Sequence, residues 1–219
     1  MLAFAALPSA ALAAFPGANG PRDYQPAQPP FLLAQGARIA YAAARSIRTI
    51  GVDGTDSRRI VAGRLDGPTY SPSGKGIAFV GKVRGKKKPG LWSVRPDGSR
   101  LRRLAKGSSL NDPDFSPDGR HIAFARSSIS LKLQIRVIRA DGSRERGIPG
   151  TAFAAEPAHA PAGDRLAVAV SGGPPSPPPC VDVYTIAPDG TDQRRVTQNC
   201  KVGVGPQAAS PSWQPLLAQ

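Results

Sequence analysis

The chain of 219 residues has little cysteine, few aromatic residues, a shortage of acidic residues and no long apolar runs. Its two cysteines exclude a disulfide-dense miniprotein and a four-cysteine zinc site. Pro, Gly, Asp or Ser interrupts the apolar runs every few positions, which excludes long helices and helical bundles. Gly and Pro number 24 each, short of the content of a disordered low-complexity protein. With 40% hydrophobic residues, the chain is expected to fold around a core.

Signatures of catalysis are also missing. The sequence contains no G-x-S-x-G elbow, no H-E-x-x-H, no phosphate-binding G-x-x-x-x-G-K-[ST] and no G-x-G-x-x-G. The two histidines, His121 and His159, are assigned structural roles. Asp112, Asp114 and Asp118 do not have the alternating spacing of a calcium loop. We therefore expect no enzyme activity, no metal and no cofactor.

The first stretch of the chain, Met1–Ala14, carries no charge. It resembles the apolar part of a signal peptide, and Ala11-Leu12-Ala13 offers small residues for cleavage. No later segment is apolar for long enough to span a membrane. The predicted organisation is a signal peptide at 1–13, a Pro-rich leader at 14–30 and a folded domain at 31–219, in a protein that is secreted or periplasmic.

Internal repeats dominate the rest of the chain. An Asp-Gly pair recurs at Asp53, Asp97, Asp141 and Asp189, with spacings of 44, 44 and 48 residues. Such periods are typical of solenoids and propellers. These aspartates are interpreted as turn formers, because each lies in its own tight connection between the third strand of a repeat and a short, Arg-rich fourth strand.

A second marker, Pro-x-x-x-Pro, precedes the paired apolar runs of each repeat. Its turns, such as Ser116-Pro117-Asp118-Gly119, match the residue preferences of a type I turn. Each repeat is therefore predicted to form four short strands, and such units must stack to bury their faces. The marker occurs four times, at 68–72, 113–117, 157–161 and 211–215.

The third copy of the repeat allows a family resemblance to be stated. Pro113-Asp114-Phe115-Ser116-Pro117-Asp118-Gly119-Arg120-His121-Ile122-Ala123-Phe124, followed by Ile135 to Gly142, resembles the WD40-like repeat of TolB-type propellers. The resemblance covers Ile39 to Pro215. It implies an all-β fold, a β-propeller of four-stranded antiparallel blades. Propellers of this type typically have six blades, whereas this chain holds about four repeats.

The two ends of the repeat region suggest how the ring closes. The repeats begin at a second strand, Arg38 to Tyr41, and finish on a lone first-strand marker centred on Trp213. We predict that the C-terminal segment supplies the innermost strand of the first blade. Two alternatives remain: Tyr24-Gln25-Pro26 supplies that strand, or two open chains pair into a larger ring.

The net charge of +14 is patterned along the chain. Arginines follow each Asp-Gly by five or six residues, at Arg58 and Arg59, Arg102 and Arg103, Arg146, and Arg194 and Arg195. They fall on the predicted outermost strand of each blade, where positive charge protects an exposed edge from aggregation.

Two loops between inner strands are the candidate partner-binding loops, since repeat-specific insertions often mark a binding face. The loop of the second repeat is basic, and that of the fourth is rich in proline. Nucleic acid is not expected as a partner, because no aromatic platform accompanies the lysines. The candidate residues are Arg84, Lys86, Lys87, Lys88, Pro177 and Pro178.

Cys180 and Cys200 flank the last hairpin of the fourth repeat. Because both cysteines reach the same end of that hairpin in an exported protein, they are predicted to form a disulfide.

The sequence thus indicates an exported, non-catalytic propeller scaffold that binds a protein partner in an accessory role in the cell envelope. The alternative is that the basic loop face binds an anionic cell-envelope polymer or a small ligand.

Overall fold

Short apolar runs separated by turn residues give an all-β architecture. The computed structural model describes residues 37–127, 133–171, 180–198 and 211–213. Within these residues the chain forms strands and turns and no helix. The strands are β1 (Arg38–Ala43), β2 (Ser46–Gly51), β3 (Arg58–Tyr70), β4 (Ile77–Val83), β5 (Gly90–Val94), β6 (Arg102–Lys106), β7 (Leu110–Phe115), β8 (His121–Ser127), β9 (Leu133–Arg139), β10 (Arg146–Gly147), β11 (Ala154–His159), β12 (Leu166–Ser171), β13 (Val181–Ile186) and β14 (Arg194–Arg195).

Every strand pairs antiparallel with its neighbour in sequence within a sheet. The strand orders are β1-β2-β3-β4-β5-β6, β7-β8-β9-β10 and β11-β12-β13-β14. The long strand β3 belongs to two blades, because Arg58–Ala62 pairs with β2 and Gly63–Tyr70 pairs with β4. We therefore define blade 1 as β1, β2 and the first part of β3. Blade 2 is the rest of β3 with β4–β6, blade 3 is β7–β10 and blade 4 is β11–β14.

The repeat pattern predicts this arrangement correctly for blades 2 to 4, each of which has four strands. It is wrong in one respect. The outer strand of the first repeat and the inner strand of the second were expected to be separate, yet they run on as one strand, β3. Asp66-Gly67 forms a β-bulge within this strand, where the register shifts, rather than a turn that ends it.

The predicted turns form as expected. At the marker turns, Gly74, Gly119 and Gly163 each donate a backbone hydrogen bond to the residue three positions earlier, at 2.8 Å. All three glycines have positive φ, which glycine adopts without steric cost.

The hydrophobic core consists of three layers, one between each pair of successive blades. Residues of β4 alternate between two layers: Ile77 and Phe79 face blade 1, whereas Ala78 and Val80 face blade 3. Because side chains alternate across a strand, a strand buried on both faces has a continuous apolar sequence. The largest fully buried side chains include Phe79, Phe124, Ile47, Leu91, Ile135, Ile148, Leu166 and Ile186.

The inner edge of the stack is formed by the second part of β3, β7 and β11. These strands contact one another in succession. Trp213 continues the series, since its indole Nε1 donates to the carbonyl of Ala158 in β11 at 2.9 Å. Among the described residues no ladder joins the last sheet to the first. Blade number and closure therefore stay predictions. No helix that could cross a membrane occurs in the described part of the chain.

Candidate functional site

Each inner strand contains a β-bulge at the residue before the marker proline. The register shifts at this point in β3, β7 and β11. Gly67, Asp112 and Glu156 occupy equivalent positions and have φ values of 57°, 51° and 52°. Bulges redirect side chains and are frequent next to binding sites. At Gly67 a Cβ atom would lie 3.0 Å from Pro113 Cδ, so close packing of blades 2 and 3 favours glycine there.

The bulges of β7 and β11 border a cavity of about 800 Å³, which we call the inner-strand cavity. It is lined by carboxylates, prolines and one tryptophan. Such a mixture of an apolar wall with a few polar groups is typical of ligand sites. The lining residues are Asp112, Pro113, Asp114, Glu156, Pro157, Ala158, His159, Pro161, Pro211, Ser212 and Trp213.

Electrostatics in this cavity disfavour further negative charge. Asp112 is exposed at the cavity surface, yet partial desolvation by the protein around it raises the pKa of its carboxyl, and the nearby carboxylates of Glu156 and Asp66 raise that pKa further. A backbone hydrogen bond from Glu156 acts in the opposite direction. Among the described residues, Glu156 Oε2 is buried without a hydrogen-bond partner. A basic group entering the cavity would relieve this repulsion.

His159 stands where the other repeats have an aromatic residue. Its side chain is 5% exposed. The backbone amide of His159 donates to Asp114 Oδ2 at 2.7 Å, and its Nδ1 lies 2.8 Å from the same oxygen. Asp114 thus provides a hydrogen-bond partner for a buried imidazole. This agrees with the structural role of His159 expected from the sequence.

The two histidines meet at a second, smaller cavity, which sequence spacing did not reveal. His121 and His159 both line a space of about 220 Å³ together with Asp118 and Arg146. The histidines lie 38 positions apart and at different repeat positions, so only the packing of blade 3 against blade 4 brings them together.

A third cavity, of about 730 Å³, is strongly basic, and we call it the basic cavity. The predicted binding residues Arg84 and Lys86 line it. Lys87 and Lys88 are exposed in the same loop and do not line it. Five further cationic side chains complete the lining. One is Arg59, which the repeat pattern assigns to an outer strand, and sequence analysis did not single out the other four, Arg45, Arg48, Arg64 and Lys82.

Several other predicted residues lie partly or wholly outside the described part of the chain. Pro177 and Pro178 are not among the described residues, and neither is Cys200. Cys180 directly precedes β13 and is 5% exposed. The disulfide and the role of the proline-rich loop therefore remain predictions.

The aspartates of the Asp-Gly pairs form side-chain-to-backbone turns. Oδ1 of Asp53, Asp97, Asp141 and Asp189 each accepts a hydrogen bond from the amide two residues later, at 2.8–3.0 Å. Hydrogen bonds from the side chain and the amide of that same residue lower the pKa of all four carboxyls. The prediction that these residues form turns is confirmed.

Comparison with known proteins agrees with this architecture. No family model matches the chain. The Tol-Pal system protein TolB of Gluconobacter oxydans is 33% identical over 106 residues, which cover 46% of this chain and 23% of that protein. An uncharacterised protein of Agrobacterium fabrum is 36% identical over 99 residues, covering 44% of this chain and 33% of that protein. The chain thus matches a third or less of the length of these two curated relatives.

Solved structures that align with the chain define its fold. The stacked four-stranded antiparallel sheets have β-propeller neighbours. TolB from Acinetobacter baumannii aligns with a TM-score of 0.60 at 20% identity, over 74% of this chain and 41% of that chain. An Agrobacterium tumefaciens structure described as TolB aligns with a TM-score of 0.61 at 16% identity, over 75% and 59%. The chain has a TolB-like β-propeller fold.

Enzymes share this architecture as well. An oligogalacturonate lyase in complex with manganese aligns with a TM-score of 0.52 at 17% identity, over 70% of this chain and 42% of that chain. The fold alone therefore does not decide between a scaffold and an enzyme.

Proposed function

We propose that the protein is an exported, non-catalytic propeller scaffold that binds a partner protein in the cell envelope. The observation that carries this proposal is the inner-strand cavity. Its prolines and Trp213 provide a rigid apolar wall, and its carboxylates provide sites for a partner's basic side chain. The similarity to TolB supports an accessory role of this kind.

The partner contacts the cavity through an extended segment that carries a lysine or arginine. A cationic side chain between Asp112 and Glu156 would offset the repulsion that raises the Asp112 pKa. Trp213 would contribute an aromatic surface beside that cation. A site of this kind needs no reacting group, in keeping with the absence of catalytic motifs from the sequence.

Ring closure is part of the same proposal, because Pro211–Trp213 forms one wall of the cavity. Strand β1 pairs with β2 along one edge, and among the described residues no strand covers its other edge. Ile39 on β1 is 53% exposed. An open edge with an exposed apolar residue is a liability for aggregation. The C-terminal segment around Trp213 covers this edge and completes a four-bladed ring.

Affinity capture from the native host tests the proposed function. Wild-type protein and the variants Asp112→Ser and Asp164→Ser serve as baits, and mass spectrometry identifies the captured proteins. Asp164 is an exposed carboxylate outside the inner-strand cavity, so its replacement removes the same charge. We expect one protein to be recovered with the wild type and Asp164→Ser and to be lost with Asp112→Ser. Identical recovery with all three baits would contradict the proposal.

A further inference from the structure

Seven cationic side chains converge on the basic cavity between blades 1 and 2. Arg45 follows β1, Arg48 lies in β2, Arg59 and Arg64 lie in β3, and Lys82 lies in β4. Arg84 and Lys86 follow β4 in the basic loop. Among the described residues no acidic side chain lines this cavity.

Strand register places like charges directly opposite each other. Arg48 is the cross-strand partner of Arg59, and Arg64 is the cross-strand partner of Lys82. Like charges in such positions destabilise a sheet. The two like-charge pairs lie in adjacent ladders, and their repulsion lowers the stability of the sheet. An anion bound between the pairs would offset this repulsion.

Eight arginines elsewhere in the described residues have acidic partners, whereas others, such as Arg95 and Arg139, form no ion pair there. Arg126 and Arg136 share Glu145, at 2.6 and 2.5 Å, and Arg165 pairs with Asp192. None of the seven cations of the basic cavity forms an ion pair within the described part of the chain. Their charges are available to a ligand.

The backbone holds the two sides of the cavity in place. Gly63 N donates to Arg45 O and Arg84 N donates to Ala62 O, both at 2.8 Å. The hairpin turn after β1 and the loop after β4 are therefore anchored to adjacent residues of β3. A Cβ atom on Gly63 would lie 2.9 Å from Val83 Cα, so this close approach requires glycine.

We propose that the basic cavity binds a polyanion that carries closely spaced phosphate or carboxylate groups. Five of the seven cations are arginines, whose planar guanidinium groups form paired hydrogen bonds with such oxyanions. Seven charges exceed what a single phosphate can neutralise, which favours a polymer. The part of the chain that the structure describes places no aromatic side chain at the cavity, and so offers none of the stacking platforms of single-stranded nucleic acid sites. This inference does not depend on the proposed protein partner.

Binding of long-chain polyphosphate and polygalacturonate at several salt concentrations tests the proposal. The variant Arg64→Ser/Lys82→Ser removes one cross-strand pair from the cavity. The matched control, Arg120→Ser/Arg139→Ser, removes two exposed charges from blade 3. We expect the cavity variant to bind at least one of the two polymers roughly tenfold more weakly. The slope of log affinity against log salt should fall by about one for each cation removed.

Folding is monitored in the same experiment through the melting temperature. Removing a like-charge pair should leave the melting temperature of Arg64→Ser/Lys82→Ser unchanged or raise it. Polymer should raise the melting temperature of the wild type and of the control more than that of the cavity variant.

Three outcomes would overturn the inference. Equal weakening by the cavity variant and the control would mean that the polymer responds only to the net charge of the protein. Inorganic phosphate that binds as tightly as the polymer would indicate a small-ligand site. Single-stranded DNA that binds more tightly than both polymers would indicate a nucleic-acid site. The capture experiment with Asp112→Ser reads out a different cavity, so the two proposals can fail separately.

Discussion

Individual aspartates define the connections between the outer strands. Each Asp-Gly carboxylate accepts a hydrogen bond from the amide two residues later. Sequence predicts these residues well, because an Asp side chain can stabilise a turn using local groups alone.

The Asp97 turn should make stability depend on pH. Hydrogen bonds from Ser99 lower the pKa of the Asp97 carboxyl. A lowered pKa gives stability that is present above the unfolded-state pKa and is lost as pH falls through the folded-state pKa. Asp97→Ala should therefore melt a few degrees below the wild type at pH 7, and the difference should shrink toward pH 2. Asp97→Asn retains an acceptor oxygen without titrating in this range, and its difference from Asp97→Ala should stay constant. A gap between wild type and Asp97→Ala that does not change with pH would contradict this role.

Asp112 should show the opposite pH dependence. Partial desolvation and the neighbouring carboxylates raise the pKa of its carboxyl. An acid with a raised pKa destabilises the folded state once pH rises above the unfolded-state value. Asp112→Asn should therefore melt above the wild type at pH 7 and close to it at pH 3. Thermal unfolding at both pH values checks this, and a variant that is less stable than the wild type at pH 7 would refute it.

The residues that line the inner-strand cavity could not be predicted as a group from the sequence. Asp112 and Asp114 were considered only as calcium ligands and rejected, and Glu156 was not singled out. Their placement depends on a bulge that shifts the register by one residue in each inner strand. One signal was present in the sequence, since Gly67, Asp112 and Glu156 all directly precede a marker proline.

At the scale of elements, the outer strands carry the patterned arginines. Arg58, Arg102, Arg146 and Arg194 are the first residues of β3, β6, β10 and β14, as the repeat pattern predicts. Arg102 has an additional contact, because its guanidinium donates to the carbonyls of Ala140 and Asp141 in blade 3.

Replacing outer-strand arginines should lower the solubility of the protein without changing its stability. Arg58 and Arg194 are 68% and 72% exposed, and exposed ion pairs contribute about 0–1 kcal/mol. Arg58→Thr/Arg194→Thr should leave the melting temperature nearly unchanged and lower the concentration at which the protein aggregates. Light scattering across a concentration series measures this. Loss of partner capture at unchanged solubility would assign these arginines to binding instead.

The hairpin of β13 and β14 is the element that the predicted disulfide would fix. A bond between Cys180 and Cys200 would close a loop of 20 residues, worth roughly 3 kcal/mol in the chain-entropy account. Non-reducing peptide mapping of exported protein should recover the two cysteines in one linked peptide. Two free thiols would contradict both the disulfide and the argument for an oxidising compartment.

Sheet register explains why the basic cavity was only partly predictable. Arg84 and Lys86 were recognised because they lie in one basic run. Arg45 lies in the turn after β1 and Arg59 lies in β3, and only the pairing of β2, β3 and β4 brings them beside that run. A one-residue change in register would move each side chain to the other face.

For the whole molecule, periodicity was sufficient to predict the fold class. The repeats determine strand number, turn type and the antiparallel order within blades, all of which depend on local sequence. Closure depends on contacts between the two ends of the repeat region, for which a repeat pattern gives no direct signal. Trp213 lies against blade 4 at the position that a following inner strand would occupy. The proposed scaffold requires that this segment also pair with β1.

Photo-crosslinking from β1 tests closure most directly. A benzophenone amino acid replaces Ala42, which is exposed on β1, and mass spectrometry identifies the crosslinked peptide. Neighbouring strands lie about 4.8 Å apart, so a closed ring predicts a crosslink within one chain to the peptide that contains Trp213. A crosslink to the peptide containing Tyr24, or one that joins two chains, would contradict closure by the C-terminal segment.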